Sequence, residues 1–395
     1  MPHIKVKPFE THSIDALLMK DDRFVFRALS QRACEGKHEE LIGLHYEGET
    51  FVLQIKKRAE SYLIKPDSIS RPLDVNRIKR ALALFAELLG LTIMHANIAL
   101  SSEKHVLAET ANKRIRDFEA PVFSREKIAI EVGFGSGRHL LYQAAQHPDT
   151  LFIGIEIHTP SAQQVLKQIA LQGIENIWIV NYDARLLLEM MPSNSCSDIY
   201  VHFPVPWDKK PHRRVISERF LQESLRVLVP QGRLELRTDS DNYYRYALET
   251  FSAAPKTHFT VEKNSEIAIT SKYEDRWRAQ EKDIYTVTVV CENFSERKVI
   301  DFDFDFDAQK LKTPSVERFP TKSAVYDGFF IHFEKCFVMQ SEKGLLVKVS
   351  FGSFDRPEHK YLLLQGGAAR YYPQDPVKTE TNYRAHQQIG EYLYG

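Results

Sequence analysis

Three glycines at alternate positions, Gly133, Gly135 and Gly137, close the apolar run Ile128-Ala129-Ile130-Glu131-Val132 and precede a helix-like segment from Arg138. An apolar run broken in this way reads as a buried strand feeding a tight turn. Lacking a Cβ, glycine lets backbone and ligand come within van der Waals reach. The spacing discriminates between ligands. A dinucleotide turn wants its third glycine one residue later, where this chain has Arg138, and it uses the turn and helix start to hold a pyrophosphate. Here Glu131 ends the strand, and a carboxylate repels phosphate while accepting a hydrogen bond from an ammonium. S-adenosylmethionine carries an ammonium and no phosphate.

Two further acids support that choice. Leu151 to Ile157 is a second apolar strand, and Glu156 near its end falls where an acidic residue binds ribose hydroxyls, about 20 residues after the turn. Asp183 follows the strand Ile177 to Val180, and its neighbour Ala184 is small enough to leave room for an adenine ring. A lone glycine turn is a weak signal. Three acids ending three successive strands form one rim, and the rim makes the turn a cofactor site.

After a fourth strand, Ile199 to Phe203, comes Pro204-Val205-Pro206-Trp207-Asp208-Lys209-Lys210-Pro211-His212-Arg213-Arg214. The prolines stiffen the loop, Trp207 offers a flat apolar face, and five cationic or imidazole side chains follow. A stacking surface beside phosphate neutralisers is what RNA recognition needs. At this place in the chain the loop lies next to the expected cofactor, so substrate and methyl donor would meet there.

These residues resemble the tRNA (guanine-N7)-methyltransferases, which modify a guanosine in the variable loop. The resemblance covers roughly residues 120 to 292. It rests on the Glu131 to Gly137 turn, Gly154 to His158, Asp183-Ala184, Phe203 to Arg214, Thr238-Asp239 and Ser271 to Arg276. It implies that Glu131, Gly133, Gly135, Gly137, Glu156 and Asp183 bind S-adenosylmethionine. It also implies that Trp207, Lys209, Asp239, Ser271, Lys272, Tyr273 and Glu274 hold the guanosine, with Arg276 nearby. Asp239 and Glu274 are then the groups expected to position the guanine through its N1 and N2 donors. Two positions depart from the family pattern: Val205 stands where the family has aspartate, and Ser271 where it has threonine. Guanine N7 has a lone pair and no proton to lose, so transfer needs positioning more than a base, and activity is expected to survive with Val205.

The elements around these residues alternate strand and helix from Ser124, with helices over Arg138 to Gln146 and Ser161 to about Gln172, and another capped by Ser217. This predicts an α/β fold, a doubly wound, Rossmann-like sheet of the class I S-adenosylmethionine-dependent methyltransferase type, over residues 116–292. Residues 1–115 read as a small α+β accessory domain with short antiparallel strands and a helix capped by Asp74. Residues 293–395 read as a mostly β third domain. It contains Asp301 to Asp307, whose period-two pattern sets three phenylalanines against four aspartates.

At 395 residues several domains are expected. With 27% charged residues and a formal net charge of +0, the chain is not a bulk polyanion binder, so tRNA must meet local patches. Cys34, Cys196, Cys291 and Cys336 are scattered, which argues against a disulfide framework or a metal site. No apolar run is long enough to span a bilayer, and a cytosolic enzyme is the expectation. Two other readings stay open: a methyltransferase for another acceptor, and a silent RNA-binding protein that keeps the fold.

Overall fold

The computed structural model of the chain describes residues 2–31, 38–70, 72–100, 107–255, 257–340 and 343–395. It divides into two compact units, one of Lys104–Asp301 and one of Met1–Glu103 together with Phe302–Gly395.

The first unit is built on an eight-stranded sheet, in the order His258–Lys263, Tyr285–Val290, Leu228–Thr238, Cys196–His202, Lys127–Val132, Thr150–Ile155, Ile177–Val180, Asn112–Lys113. From Leu228–Thr238 to Asn112–Lys113 the neighbours are parallel. Tyr285–Val290 runs antiparallel to both of its neighbours, so the sheet is mixed at one side. Ile130, Ile153, Ile179, Ile199 and Leu234 are fully buried in successive strands, as near-continuous apolar runs covered on both faces require. After the short edge strand Asn112–Lys113 the chain reaches the centre at Lys127–Val132, winds outward through Thr150–Ile155 and Ile177–Val180, then returns to Cys196–His202 on the other side. That reversal places a crevice at the carboxyl ends of the two central strands, where ligands bind in such sheets.

The helices fall near their expected places, at Arg138–Gln146, Thr159–Gln172 and Glu218–Val227, the last capped by Ser217 Oγ accepting from Phe220 N at 3.2 Å. In Arg138–Gln146 the buried residues are His139, Leu140 and Ala144, and Leu141 is only half-buried. The Pro230-Gln231-Gly232 stretch, whose composition reads as a turn, lies inside the strand Leu228–Thr238. Gln231 takes a φ of 67° there, and the register against Cys196–His202 shifts, so the stretch is an irregularity the strand absorbs.

The second unit joins the two ends of the chain. Its main sheet is antiparallel throughout, and Phe24–Ser30 pairs with Phe329–Met339 through Ser30 and Phe337, Leu29 and Val338, Ala28 and Met339. Phe26, Ala28, Leu41 and Val52 share one buried cluster with Phe337, Leu346, Tyr361 and Leu363. The segments expected as separate first and third domains thus supply strands to one sheet, because a strand edge left open on either would expose unpaired N–H and C=O groups. Asp74 caps the helix Val75–Leu88, its Oδ1 accepting from Asn76 N at 2.8 Å. The phenylalanines of Asp301 to Asp307 point inward and the aspartates outward as expected, but the segment is extended without strand pairing. Phe302 stacks on Tyr383 and Phe306 packs at a tilt against His386, both from the closing helix Glu380–Tyr394.

Cys196 and Cys291 are buried, and Cys34 lies outside the described residues. Among the described residues no helix is long and apolar enough to cross a membrane.

Candidate active site

Register brings the three acids to one edge. Val132 lies opposite Ile155 and Ile155 opposite Val180, so Glu131, Glu156 and Asp183 come at matching strand ends. All three glycines of the turn have positive φ, 71°, 55° and 73°, a region L side chains seldom adopt. Two of them differ in what surrounds them. A Cβ on Gly137 would come 2.4 Å from Val165 Cγ2, so this glycine lets the helix start against its neighbour, whereas a Cβ on Gly133 would meet nothing within 4 Å.

Each acid has a distinct setting. Glu131 is buried at 3% exposure, and its Oε2 pairs with His139 Nδ1 at 2.8 Å. Its Oε1 has no hydrogen-bond partner among the described residues and is not sealed from solvent. Glu156 ties the turn to its own loop, with Oε2 accepting from Gly135 N at 3.0 Å and Oε1 from His158 N at 2.8 Å. Asp183 caps the helix Ala184–Met190 by accepting from Arg185 N at 2.9 Å, and it also holds the Arg185 guanidinium at 2.6 Å.

The proline loop leaves the same edge one strand away, since Cys196–His202 is parallel to Lys127–Val132 with Val201 opposite Val132. Phe203 and Trp207 both have a φ of 48°, which is strained for bulky side chains. Arg214 holds the loop in that form. Buried at 7% exposure, it donates Nε to Pro206 O at 2.8 Å and lies 4.5 Å over the Tyr246 ring. Such a charged hydrogen bond contributes about 1.5–3 kcal/mol, comparable to the strain of one such aromatic, about 1–3 kcal/mol. The remaining side chains are presented outward: Trp207 with the Arg213 guanidinium 5.2 Å over its ring, exposed Lys209 and Lys210, and Val205 at 60% exposure.

Asp239 follows the end of Leu228–Thr238 and accepts from Lys282 Nζ at 2.9 Å, while that ammonium sits 3.6 Å over the Trp277 ring. The 270s segment is tied to the glycine turn by Arg138, which pairs with Asp275 and donates to Thr270 O at 3.1 Å. Ser271 Oγ caps the helix Lys272–Arg278 through Glu274 N at 3.0 Å, and Arg276 is exposed with its guanidinium near Trp277. The side chains of Lys272 and Tyr273 lie outside the described residues.

Glu274 is placed otherwise than expected. It is 1% exposed, and its Oε1 accepts from Arg237 Nη2 at 2.7 Å and from Arg278 Nε and Nη2 at 2.9 and 2.8 Å. A carboxylate oxygen shared by two guanidiniums ties the helix Lys272–Arg278 to the strand Leu228–Thr238.

Comparison with known proteins decides among chemistries that could use this edge. Residues 125–287 match the family model "Putative methyltransferase". The tRNA (guanine-N(7)-)-methyltransferase of Wolinella succinogenes is 41% identical over 364 residues, 90% of this chain and 91% of that one. The enzyme of the same name from Campylobacter jejuni subsp. jejuni is 38% identical over 100% of this chain and 98% of its own. A third, from Helicobacter pylori, is 38% identical over 86% of each. The chain belongs to the tRNA (guanine-N(7)-)-methyltransferase family. The match to the Campylobacter jejuni enzyme spans 100% of this chain and so includes the stretches that form the second unit.

Beneath the edge of this methyltransferase lies a polar cluster that sequence reading missed. The His139 ring lies 4.6 Å from that of His202 and 5.0 Å from that of Tyr200, and His202 Nε2 pairs with Glu235 Oε1 at 2.8 Å. Arg237, 1% exposed, closes the cluster with hydrogen bonds to Glu274 and to Thr286 Oγ1 at 2.7 Å. Burial works against the imidazolium of His139, but Glu131 and then Glu235 outweigh it and hold its pKa above the ordinary value. For Glu235 burial is likewise the largest influence, and His202 overcomes it, leaving that pKa lowered. The alternation Tyr200, His202 on one strand and Glu235, Arg237 on the next was the available signal: polar residues at period two in strands otherwise apolar.

Proposed function

We propose that the protein transfers the methyl group of S-adenosylmethionine to N7 of a variable-loop guanosine in tRNA, in the cytosol. One observation carries this reading: a single switch-point edge bears both the three-acid rim with its open glycine turn and the tryptophan loop with its exposed cations. The residues present fit the donor. The space over Gly133 and the unpartnered Glu131 Oε1 leave room and an acceptor for an ammonium, which a phosphate ligand would not use. Glu131 would take that ammonium, Glu156 the ribose hydroxyls, and Asp183 with Ala184 the adenine side. When bound, the donor supplies an electrophilic methyl on its sulfonium.

The protein's own groups then have to deliver a purine in line. Trp207 and Arg213 give a stacking face and a cation, and Lys209 and Lys210 neutralise phosphates at the same loop. Asp239 accepts from the guanine N1 and N2 donors once Lys282 yields, with Ser271, Lys272, Tyr273 and Arg276 around it. Glu274 serves this segment from below by fixing it to Arg237. Because N7 has a free lone pair, no side chain need remove a proton, and the rate comes from orientation. Val205 therefore leaves the reaction possible, and the carboxylate it replaces would only steady a cationic product.

Incubation of unmodified tRNA with the protein and S-adenosylmethionine, followed by mass spectrometry of the nucleosides, tests the reading. We expect 7-methylguanosine. A different methylated nucleoside, or cofactor binding without any methyl transfer, overturns it.

A further inference from the structure

The Glu131 carboxylate has two sides. One oxygen is held by His139, and the other has no partner among the described residues and is not sealed from solvent. We propose that His139 is a positioning residue for the methyl donor, and that its imidazole and the donor's ammonium compete for charge at Glu131, so that donor binding expels a proton from the histidine. This rests on the assignment of the donor to the three-acid rim.

The geometry defines both protonation states. An ionised carboxylate only accepts, so His139 Nδ1 carries a proton whenever this pair is made. His139 Nε2 lies 3.2 Å from Gln143 Nε2, whose amide can donate to a neutral ring. The proton that comes and goes is therefore the one on Nε2. Titratable and charged groups face the ring from three strands. Glu131 comes from its own strand; Tyr200 and His202 from the next; Glu235 and Arg237 from the strand beyond. The carboxylates favour the imidazolium and Arg237 opposes it, with the balance on the side of charge.

An ammonium arriving at the free side of Glu131 adds a second cation to one carboxylate. Like charges this close, away from bulk water, disfavour one another, and of the two the histidine is the one that can discharge near neutral pH. Linkage gives the sign. With the His139 pKa raised in the free protein and lowered by the ligand, binding releases protons around that pKa and tightens as pH rises through it. The neutral ring that remains still donates Nδ1–H, so Glu131 stays aimed at the ligand.

The experiment is titration calorimetry of the full-length protein with S-adenosylhomocysteine, which bears the same ammonium and cannot react. Measurement at pH 6.5 in two buffers of different ionisation enthalpy counts protons. Wild type is expected to release a substantial fraction of a proton per ligand, and His139→Gln none, with about tenfold weaker binding from a misaimed carboxylate. Should His139→Gln fail to fold, the His139 imidazole nitrogens of wild type, followed by NMR with and without ligand, give the same answer through a downward pKa shift on binding. Binding with no proton release, or with equal release in wild type and variant, or an unmoved histidine titration, overturns the proposal while leaving the donor site intact. Absence of binding in wild type removes the donor site itself.

Discussion

Substituting glutamine for Glu274 separates a strut from a substrate ligand. Its Oε1 accepts three N–H groups, one from Arg237 and two from Arg278, and both Glu274 and Arg237 are 1% exposed. Breaking a buried ion pair by neutralising one partner costs about 3–5 kcal/mol, because the other charge stays buried without compensation. The amide oxygen of glutamine can still accept, so the low end, about 3 kcal/mol, applies to Glu274→Gln. For a unit of this size each kcal/mol moves the midpoint roughly 2–4 °C, giving a fall of about 6–12 °C. Scanning calorimetry measures that shift directly, and methyl transfer is assayed well below the transition. A strut predicts a large loss of stability, with residual activity that recovers as the temperature is lowered. Replacing both partners, Arg237→Met with Glu274→Met, should return part of the lost stability, since no charge is then stranded. If Glu274→Gln melts within about 1 °C of wild type, far inside the shift expected for a broken buried pair, while the KM for tRNA rises steeply, the reasoning fails and Glu274 touches the purine.

Arg214→Leu removes the bond to Pro206 O and the guanidinium over Tyr246, releasing the strained Phe203 to Trp207 backbone. The KM for tRNA should rise on the order of tenfold with donor affinity unchanged, as tRNA titration and calorimetry would show; equal loss of both would place the effect elsewhere. The two outer glycines of the turn should fail differently. Both sit at positive φ, so either alanine should cost about 1–2 kcal/mol of backbone strain in urea unfolding; Gly137→Ala also drives a Cβ into Val165 at 2.4 Å and should lose about 1–3 kcal/mol more, whereas the Cβ of Gly133→Ala meets no protein atom and should add only weaker donor binding. Val205 is 60% exposed and touches no proton in the proposed transfer, so Val205→Asp should change kcat by less than about tenfold in the nucleoside assay. An inactive wild type rescued by that change would show that the missing carboxylate is required.

The amino-acid sequence by itself determined the parts of this protein whose causes are local. Alternating glycines after an apolar run specify a turn whatever surrounds it, and strand-ending acids at Glu131, Glu156 and Asp183 fall in register once the strands are parallel. The proline, tryptophan and lysine composition of the loop after His202 likewise needs only its own residues to be read. Tertiary structure decided the rest. Nothing in the neighbourhood of Phe24–Ser30 says that its edge will be met by Phe329–Met339 from the far end of the chain, because strand pairing is settled by which edges are left open after the rest has packed. The same holds for charge. Glu274 looks like an open site residue in sequence, yet its Oε1 is held by Arg237 and Arg278, and His139 becomes the partner of Glu131 because its helix face meets the sheet. Burial turns a modest attraction in water into one strong enough to dictate placement, and burial is a property of the assembled fold.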